Sequence, residues 1–215
     1  MSATIGVIDY GMGNLHSLSK ALERVAPDQR VVVSYEAEEL LKCDRLVLPG
    51  VGGVRACMNE LKRLELSQLV IEAAKRVPLL GICLGMQVLL EWSDENEGVP
   101  ALGVFPGKVV RFPDPPADGT SKGERLKVPH MGWNRIRQTR PHPVWANIPD
   151  NSWFYFVHSY HAEPKQKRHV LGTADYGTSF AAAIARENVV AFQCHPEKSQ
   201  TCGMQLLSNF VTWSP

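Results

Sequence analysis

The chain has 215 residues, 44% of them hydrophobic, and its 23 Lys and Arg residues nearly balance its 22 Asp and Glu residues. This balance gives no overall field to recruit nucleic acid or a membrane surface, and no apolar run approaches the ~20 residues that cross a bilayer. No export signal is recognised, and the cysteines are odd in number and scattered, which favours reduced thiols in a cytoplasmic protein. The length suits a single domain over residues 1–215.

The first half of the chain alternates predicted strands with predicted helices. Strands are predicted at 4–9, 31–33, 45–48 and 78–82, and helices at 15–25, from 57 to 64 and at 67–75. Each crossover through a helix returns the chain to the same edge of a sheet, so the strands pair in parallel. We therefore expect an α/β fold, with a doubly wound, mostly parallel sheet flanked by helices.

The second half has a different pattern. Residues 112–127 are rich in proline and charge, which predicts a surface loop within the domain. Additional, antiparallel strands are predicted at 154–157, 170–173, 180–185 and 189–193. Asn188 is predicted at the turn between the last two of these strands. A closing helix is predicted from about 203 to 212, with Ser199 or Thr201 as its cap.

A nucleophile candidate follows the strand at 78–82. The run Gly81-Ile82-Cys83-Leu84-Gly85 matches the G-x-nucleophile-x-G elbow, with Cys in place of Ser. Small flanking residues fit a tight strand-to-helix turn, and the start of a helix favours a thiolate. The Leu84 N–H is placed to bind an oxyanion. A buried structural cysteine in a glycine-containing turn is the alternative.

His195 has a carboxylate two residues further on, in Cys194-His195-Pro196-Glu197. In extended backbone alternate side chains share a face, and Pro196 presses its predecessor toward that geometry. Glu197 could then orient the ring of His195 as the base of Cys83. A capping histidine with a solvated glutamate is the alternative when this segment is considered alone.

A second oxyanion donor is expected in the run from Pro49 to Gly53, at the end of another parallel strand. Glycines let backbone N–H groups approach a ligand closely, so Val51 and Gly52 are the candidates beside Leu84. An ordinary turn would also favour these glycines.

Together these residues resemble the class I, triad-type glutamine amidotransferases, and within them the amidotransferase subunits of imidazole glycerol phosphate synthase. The resemblance spans nearly the whole chain, and His130-Met131-Gly132-Trp133-Asn134 is its most specific run. Its other marks are the runs 9–14, 49–52, 81–87, 155–160 and 195–199.

The resemblance implies a flavodoxin-like fold and a glutaminase that passes through a Cys83 thioester, without metal or cofactor. It implies glutamine binding by Gly50, Gln87, Glu95, Ser159 and Tyr160. It further implies that ammonia passes through a channel to a (β/α)8-barrel cyclase subunit, within a heterodimeric synthase (lyase) of histidine biosynthesis. The residues that resemble those at the family's docking face for the cyclase are Asn14, Met131, Trp133, Tyr155 and Lys198.

Other functions remain open at this stage. A glutaminase subunit could feed another acceptor enzyme, such as pyridoxal phosphate synthase, and a cysteine peptidase or esterase would use the same nucleophile. A dinucleotide fingerprint at Gly11 and Gly13 is opposed by His16, which stands where the third glycine belongs. A metal site at Cys194, His195 and Cys202 lacks the usual ligand spacing, so we expect no metal.

Overall fold

The computed structural model describes residues 3–113 and 127–215. Within these ranges the chain order begins β1 (Thr4–Ile8), α1 (Leu15–Val25), β2 (Arg30–Ser34), α2 (Ala37–Leu40), β3 (Arg45–Leu48), α3 (Val54–Arg63), α4 (Leu66–Arg76), β4 (Leu79–Ile82) and α5 (Leu84–Gln87). It continues with β5 (Leu90–Ser93), β6 (Val99–Pro100), β7 (Phe105–Arg111), β8 (His130–Gln138), β9 (Ser152–His158), β10 (Tyr160–Pro164), β11 (Val170–Asp175), β12 (Ser179–Arg186), β13 (Val189–Phe192) and α6 (Gln200–Thr212).

The described strands join one sheet whose central path runs β2-β1-β3-β4-β13-β12-β10-β7-β5-β6. The five strands from β2 to β13 pair in parallel, as the alternation of strands and helices predicts. Parallel neighbours place their carboxyl ends at one edge of the sheet. The segments that follow β3, β4 and β13 are therefore side by side in space, although they are far apart in sequence.

Both faces of this parallel region are covered. On β1, Val7 packs in the same cluster as Leu22 of α1 and Phe210 of α6, whereas Ile8 packs in the cluster that holds Leu61 of α3. The alternation follows the two-residue period of a strand, and burial on both faces explains why these strands are almost wholly apolar.

The second half adds antiparallel strands, as predicted. β12 pairs with β13, β10 and β11. β11 also pairs with β8, and β8 and β9 form an antiparallel two-stranded ribbon. The sequence pattern did not predict β5, β6, β7, β8 or β10. Pro106 and Gly107 interrupt the apolar pattern of β7, and β8 is largely polar and partly exposed, so neither reads as an ordinary buried strand.

The ends of two helices differ from the prediction. The closing helix begins at Gln200, earlier than the predicted start near 203. Ser199 occupies its N-cap position, as predicted, but its side chain makes no capping bond, because its hydroxyl bonds to His195 and Tyr155. Leu64 lies just beyond α3. Most of the predicted surface loop at 112–127 lies outside the described residues.

Within the described ranges, no helix is long and apolar enough to cross a membrane.

Candidate active site

A pocket of about 410 Å³ lies at the carboxyl edge of β3, β4 and β13. It is lined by Val51, Gly52, Cys83, Leu84, Gln87, Glu95, Pro129, Val157, His158, Ser159, Tyr160 and His195. The loop after β3, the elbow after β4 and the segment after β13 each contribute to this lining. The sheet order thus explains how residues from distant parts of the sequence meet in one place.

Cys83 occupies a strained turn between β4 and α5, with φ 53° and ψ −108°. Positive φ is uncommon for a residue with a Cβ, and strain of this kind is concentrated at functional sites. A side chain at position 85 would collide with the Leu48 carbonyl, and one at position 81 would crowd Ala191 and Leu89. Glycines at 81 and 85 are therefore required sterically, as the elbow pattern indicates.

The helix after Cys83 is a single turn, Leu84–Gln87, rather than a long helix. The Cys83 carbonyl accepts the N–H groups of Met86 at 3.0 Å and Gln87 at 3.2 Å. Leu84 thus lies in the first turn, where a backbone N–H has no carbonyl partner within the helix.

The His195 ring and the Glu197 carboxylate are both almost fully buried, and Nδ1 of the ring lies 2.8 Å from Oε1 of the carboxylate. Extended backbone does not explain this contact. His195 is extended, but Glu197 lies in a 3-10 turn over Pro196–Lys198 that brings its carboxylate back to the ring. The expected pair therefore forms by a different local geometry.

The charge state of His195 follows from its neighbours. Burial opposes the imidazolium, but Cys83 and the Glu197 carboxylate both stabilise it and raise the pKa of His195 to about 10. The other ring nitrogen, Nε2, is buried without a hydrogen-bond partner among the described residues. A polar group left in this state indicates a site where a reacting partner is to be bound.

The backbone of His195 is tied to β9 through Ser199. The His195 N–H donates to the Tyr155 carbonyl at 2.9 Å. The Ser199 hydroxyl donates to the His195 carbonyl at 2.6 Å and accepts the Tyr155 N–H at 2.9 Å. Ser199 is thus a buried bridge that fixes the segment carrying the histidine.

The loop after β3 places Val51 and Gly52 on the pocket wall beside Leu84. Gly50 does not line the pocket; it is buried behind the wall, where a side chain would collide with Tyr10 and Leu84. The Tyr10 hydroxyl donates to the Pro49 carbonyl at 2.7 Å and so anchors the start of this loop.

The remaining residues expected to bind glutamine, Gln87, Glu95, Ser159 and Tyr160, all line the pocket. Oε2 of Glu95 accepts the Val54 N–H at 2.6 Å, which fixes a carboxylate at the pocket wall. The Gln87 amide donates to the Tyr160 carbonyl at 2.8 Å and to the Gln193 side chain at 3.0 Å, so tertiary contacts fix its position.

A buried pair of histidines, which the sequence did not predict, lies beside the pocket. Nδ1 of His158 faces the Tyr160 carbonyl at 2.8 Å, so it must carry the proton and donate. Its Nε2 then accepts from Nδ1 of His130 at 3.0 Å, and Nε2 of His130 accepts from the Asn134 amide at 3.3 Å. The histidine spacing gives no local signal for this chain of bonds, because cross-strand pairing of β8 with β9 creates it.

The histidine pair predicts a loss of stability in mild acid. Burial lowers the pKa of His130 to about 4 and that of His158 to about 3. Below the ordinary histidine pKa of ~6.5 the unfolded chain binds more protons, so the free energy of unfolding falls as the pH falls toward these values. Between pH 7 and 5, each such histidine should cost roughly 2 kcal/mol.

Urea denaturation of the wild type and His130→Gln at pH 7 and 5 checks this expectation. The variant should lose roughly 2 kcal/mol less stability over the interval than the wild type. The exposed His16 provides the control His16→Gln, which should lose as much as the wild type. Equal losses in His130→Gln and the wild type would contradict the role assigned to burial.

An exposed apolar face adjoins the pocket on the β8-β9 ribbon. Met131 and Trp133 are 63% and 43% exposed, and the ring of Trp133 meets that of Tyr155 edge-on. The Lys198 ammonium lies 5.9 Å from the centre of the Tyr155 ring. The structure brings these four expected docking residues together. Asn14 is also exposed, and its side chain accepts the Ser17 N–H at the start of α1.

Comparisons with known proteins point to one family. The family model described as glutamine amidotransferase class-I matches residues 6–213. The imidazole glycerol phosphate synthase subunit HisH of Nitrosococcus oceani is 54% identical over 212 residues, which cover 99% of this chain and 98% of the relative. The subunit HisH 1 of Pseudomonas aeruginosa is 54% identical over 213 residues, with the same two coverages.

Solved structures with lower identity show the same fold. A crystal structure described as a glutamine amidotransferase aligns with a TM-score of 0.69 at 18% identity, covering 96% of each chain. PurLQS from Thermotoga maritima aligns with a TM-score of 0.69 at 16% identity, covering 98% of each chain.

Proposed function

The chain belongs to the class-I glutamine amidotransferases, and from that membership and the geometry of the pocket we propose that it is the glutaminase subunit of an imidazole glycerol phosphate synthase. The observation that carries the proposal is the pocket that holds Cys83 with the buried His195–Glu197 pair. The relatives at 54% identity over nearly their full length are named as subunits of this synthase.

The first chemical step is attack by the Cys83 thiolate on the side-chain amide carbon of glutamine. The carbonyl oxygen becomes an oxyanion, which the Leu84 N–H and an N–H of Val51 or Gly52 stabilise. The imidazolium of His195 then gives its proton to the departing nitrogen. The C–N bond breaks, and ammonia leaves a glutamyl thioester on Cys83.

Water completes the cycle. Neutral His195 takes a proton from the water that attacks the thioester carbon, and glutamate leaves as the sulfur returns to its thiolate. Glu197 keeps the imidazole oriented and stabilises its charged form through both steps. The high pKa of His195 supports this assignment, because a proton donor is needed at neutral pH for the first step.

The pocket wall offers complementary groups for the rest of the substrate. The Glu95 carboxylate, fixed by Val54, suits the α-ammonium of glutamine. Ser159 and Tyr160 line the same pocket. Gly50 contributes by letting the loop pack against Tyr10 rather than by touching the substrate.

The synthase needs a second chain to use the ammonia. We propose that a (β/α)8-barrel cyclase docks on the face formed by Met131, Trp133, Tyr155 and Lys198, with Asn14 at its margin. Val157 connects this face to the pocket, because it pairs with Met131 in the ribbon and its carbonyl lies 3.9 Å from the Cys83 sulfur. A protected path for ammonia has chemical value, because protonated ammonia is not a nucleophile.

We further propose that the chain is a single domain and that it acts in the cytoplasm.

The test of the proposed function is glutamine hydrolysis by the chain alone, with the cyclase, and with the cyclase plus its ribotide ligand. The complete mixture should convert glutamine and the ribotide to glutamate, imidazole glycerol phosphate and an aminoimidazole carboxamide ribotide, with one glutamate for each imidazole glycerol phosphate. Hydrolysis of peptides or simple esters with no effect of the cyclase would favour a cysteine peptidase or esterase. Coupling to a different acceptor enzyme, such as pyridoxal phosphate synthase, would replace the assigned partner.

Trp133→Ala is expected to weaken cyclase binding by about 30-fold, because large aromatic anchors at interfaces typically contribute about 2 kcal/mol or more. Titration calorimetry with the cyclase measures the change. Leu41→Ala is the matched control, since Leu41 is a similarly exposed apolar residue outside the β8-β9 ribbon, and it should bind as the wild type does. Wild-type affinity in Trp133→Ala would remove this face as the docking site.

A further inference from the structure

Gln193 is a buried amide beside the nucleophile that the triad chemistry leaves without a role. It directly follows β13, two residues before His195, and its side chain is completely buried. A buried amide is costly unless its donors and acceptors are paired, so the identity of its partners matters. Those partners are Gln87 on one side and Cys83 on the other.

The orientation of the Gln193 amide follows from its neighbours. The Tyr160 carbonyl can only accept, so the group of Gln87 that faces it must be the NH2 group. The second hydrogen of that NH2 points to Gln193, 3.0 Å away, which must therefore present its oxygen. The Gln193 NH2 group is then directed at the Cys83 sulfur, 3.7 Å from Nε2.

This donor has a specific chemical consequence. A thiol accepts hydrogen bonds weakly, whereas a thiolate accepts them strongly, so an N–H aimed at the sulfur favours the ionised form. The Val157 carbonyl also lies near the sulfur, at 3.9 Å, and it can accept from a thiol but opposes a thiolate. The hydrogen bond donated by Gln193 offsets this unfavourable effect of the Val157 carbonyl on the thiolate.

We propose that Gln193 is a further catalytic residue, which holds the Cys83 sulfur as a thiolate in its attack position by donating a hydrogen bond to it. Its second bond continues through Gln87 to the Tyr160 carbonyl and ties the sulfur to the wall of the substrate pocket. This inference deepens the proposed glutaminase function and rests on it for the reaction that Gln193 assists.

The test measures the sulfur directly. Iodoacetamide alkylation of Cys83 in the full chain is followed against pH, with the adduct quantified by peptide mass spectrometry. In Gln193→Met, which has similar volume and no N–H donor, the midpoint of the alkylation profile should rise by about one to two pH units. In glutamine hydrolysis, kcat should fall about 10-fold to 100-fold with little change in KM.

The matched control is Asn209→Leu. Asn209 is also a buried amide, and it donates to the carbonyls of Val144 and Ala146 away from the pocket. Its variant should lose stability but keep the wild-type alkylation midpoint. Gln193→Glu is the second variant if Gln193→Met does not fold, because it keeps an oxygen toward Gln87 and replaces the donor with a carboxylate; once ionised, it should raise the midpoint too.

An alkylation profile that superimposes on the wild type in a folded Gln193 variant would overturn the proposal, as would an equal shift in Asn209→Leu. Alkylation also separates this inference from the proposed function. A wild type that does not hydrolyse glutamine, combined with a shifted Gln193→Met profile, removes the glutaminase assignment and retains the donor to Cys83. The reverse combination removes the role of Gln193 alone.

Discussion

Replacing Cys83 with alanine should lower kcat for glutamine hydrolysis by about 10⁴-fold or more, because no thioester can form without the sulfur. The change is small in volume, and alanine has no group that can replace the nucleophile. Steady-state glutamate release, measured with the cyclase and its ligand present, gives the ratio of the two rates. Binding of the cyclase should be unaffected.

Cys202→Ala is the control for this substitution. Cys202 is a partly exposed thiol on α6 and does not line the pocket, so its loss should leave kcat within about twofold of the wild type. Full activity in Cys83→Ala would show that another group is the nucleophile. Equal losses in the two cysteine variants would show that the activity depends on thiols in general.

Glu197→Gln should lower kcat by about 10²-fold to 10⁴-fold, since the amide keeps the shape of the side chain but not its charge. The carboxylate helps to raise the pKa of His195, so its removal should move the alkaline limb of the rate profile to lower pH. Glutamate release from pH 6 to 10 measures both effects.

The same pair gives a stability prediction with a defined sign. A folded pKa above the unfolded value stabilises the fold fully below about pH 6.5, and this contribution disappears as the pH rises toward the folded value of about 10. The wild type should therefore exceed Glu197→Gln in stability most below pH 6.5 and least near pH 10. Glu72, a partly exposed carboxylate paired with Lys75 away from the pocket, supplies the control Glu72→Gln. A constant difference across this range would contradict the electrostatic role of Glu197.

The predictable part of the site has local signals. The glycines at 81 and 85 mark the elbow because steric conflict excludes side chains there, and this requirement is legible in five consecutive residues. The parallel half of the sheet was also predictable, because strands buried on both faces are continuous apolar runs. The His195–Glu197 contact was expected, although a 3-10 turn creates it rather than an extended segment.

The unpredicted part depends on contacts between distant segments. Gln193 gains its partners from Cys83, which follows β4, and from Gln87 of α5, whereas His130 and His158 meet across β8 and β9. No spacing pattern in the sequence reveals these contacts. Ser199 reads as a helix cap in the sequence, but tertiary packing commits its hydroxyl to His195 and Tyr155. The docking face was expected through family resemblance. Met131, Trp133 and Tyr155 meet in space because β8 pairs with β9, and Lys198 reaches the Tyr155 ring from the 3-10 turn at Pro196–Lys198.

The central claim is that the Cys83 sulfur attacks the side-chain carbon of glutamine, and covalent labelling tests it most directly. The complex is incubated with an electrophilic glutamine analogue that carries a diazoketone in place of the amide, and the adduct is mapped by mass spectrometry. We expect one adduct per chain, on Cys83, whose formation excess glutamine suppresses. An adduct on another residue, or labelling of Cys83 that glutamine does not affect, would contradict the account.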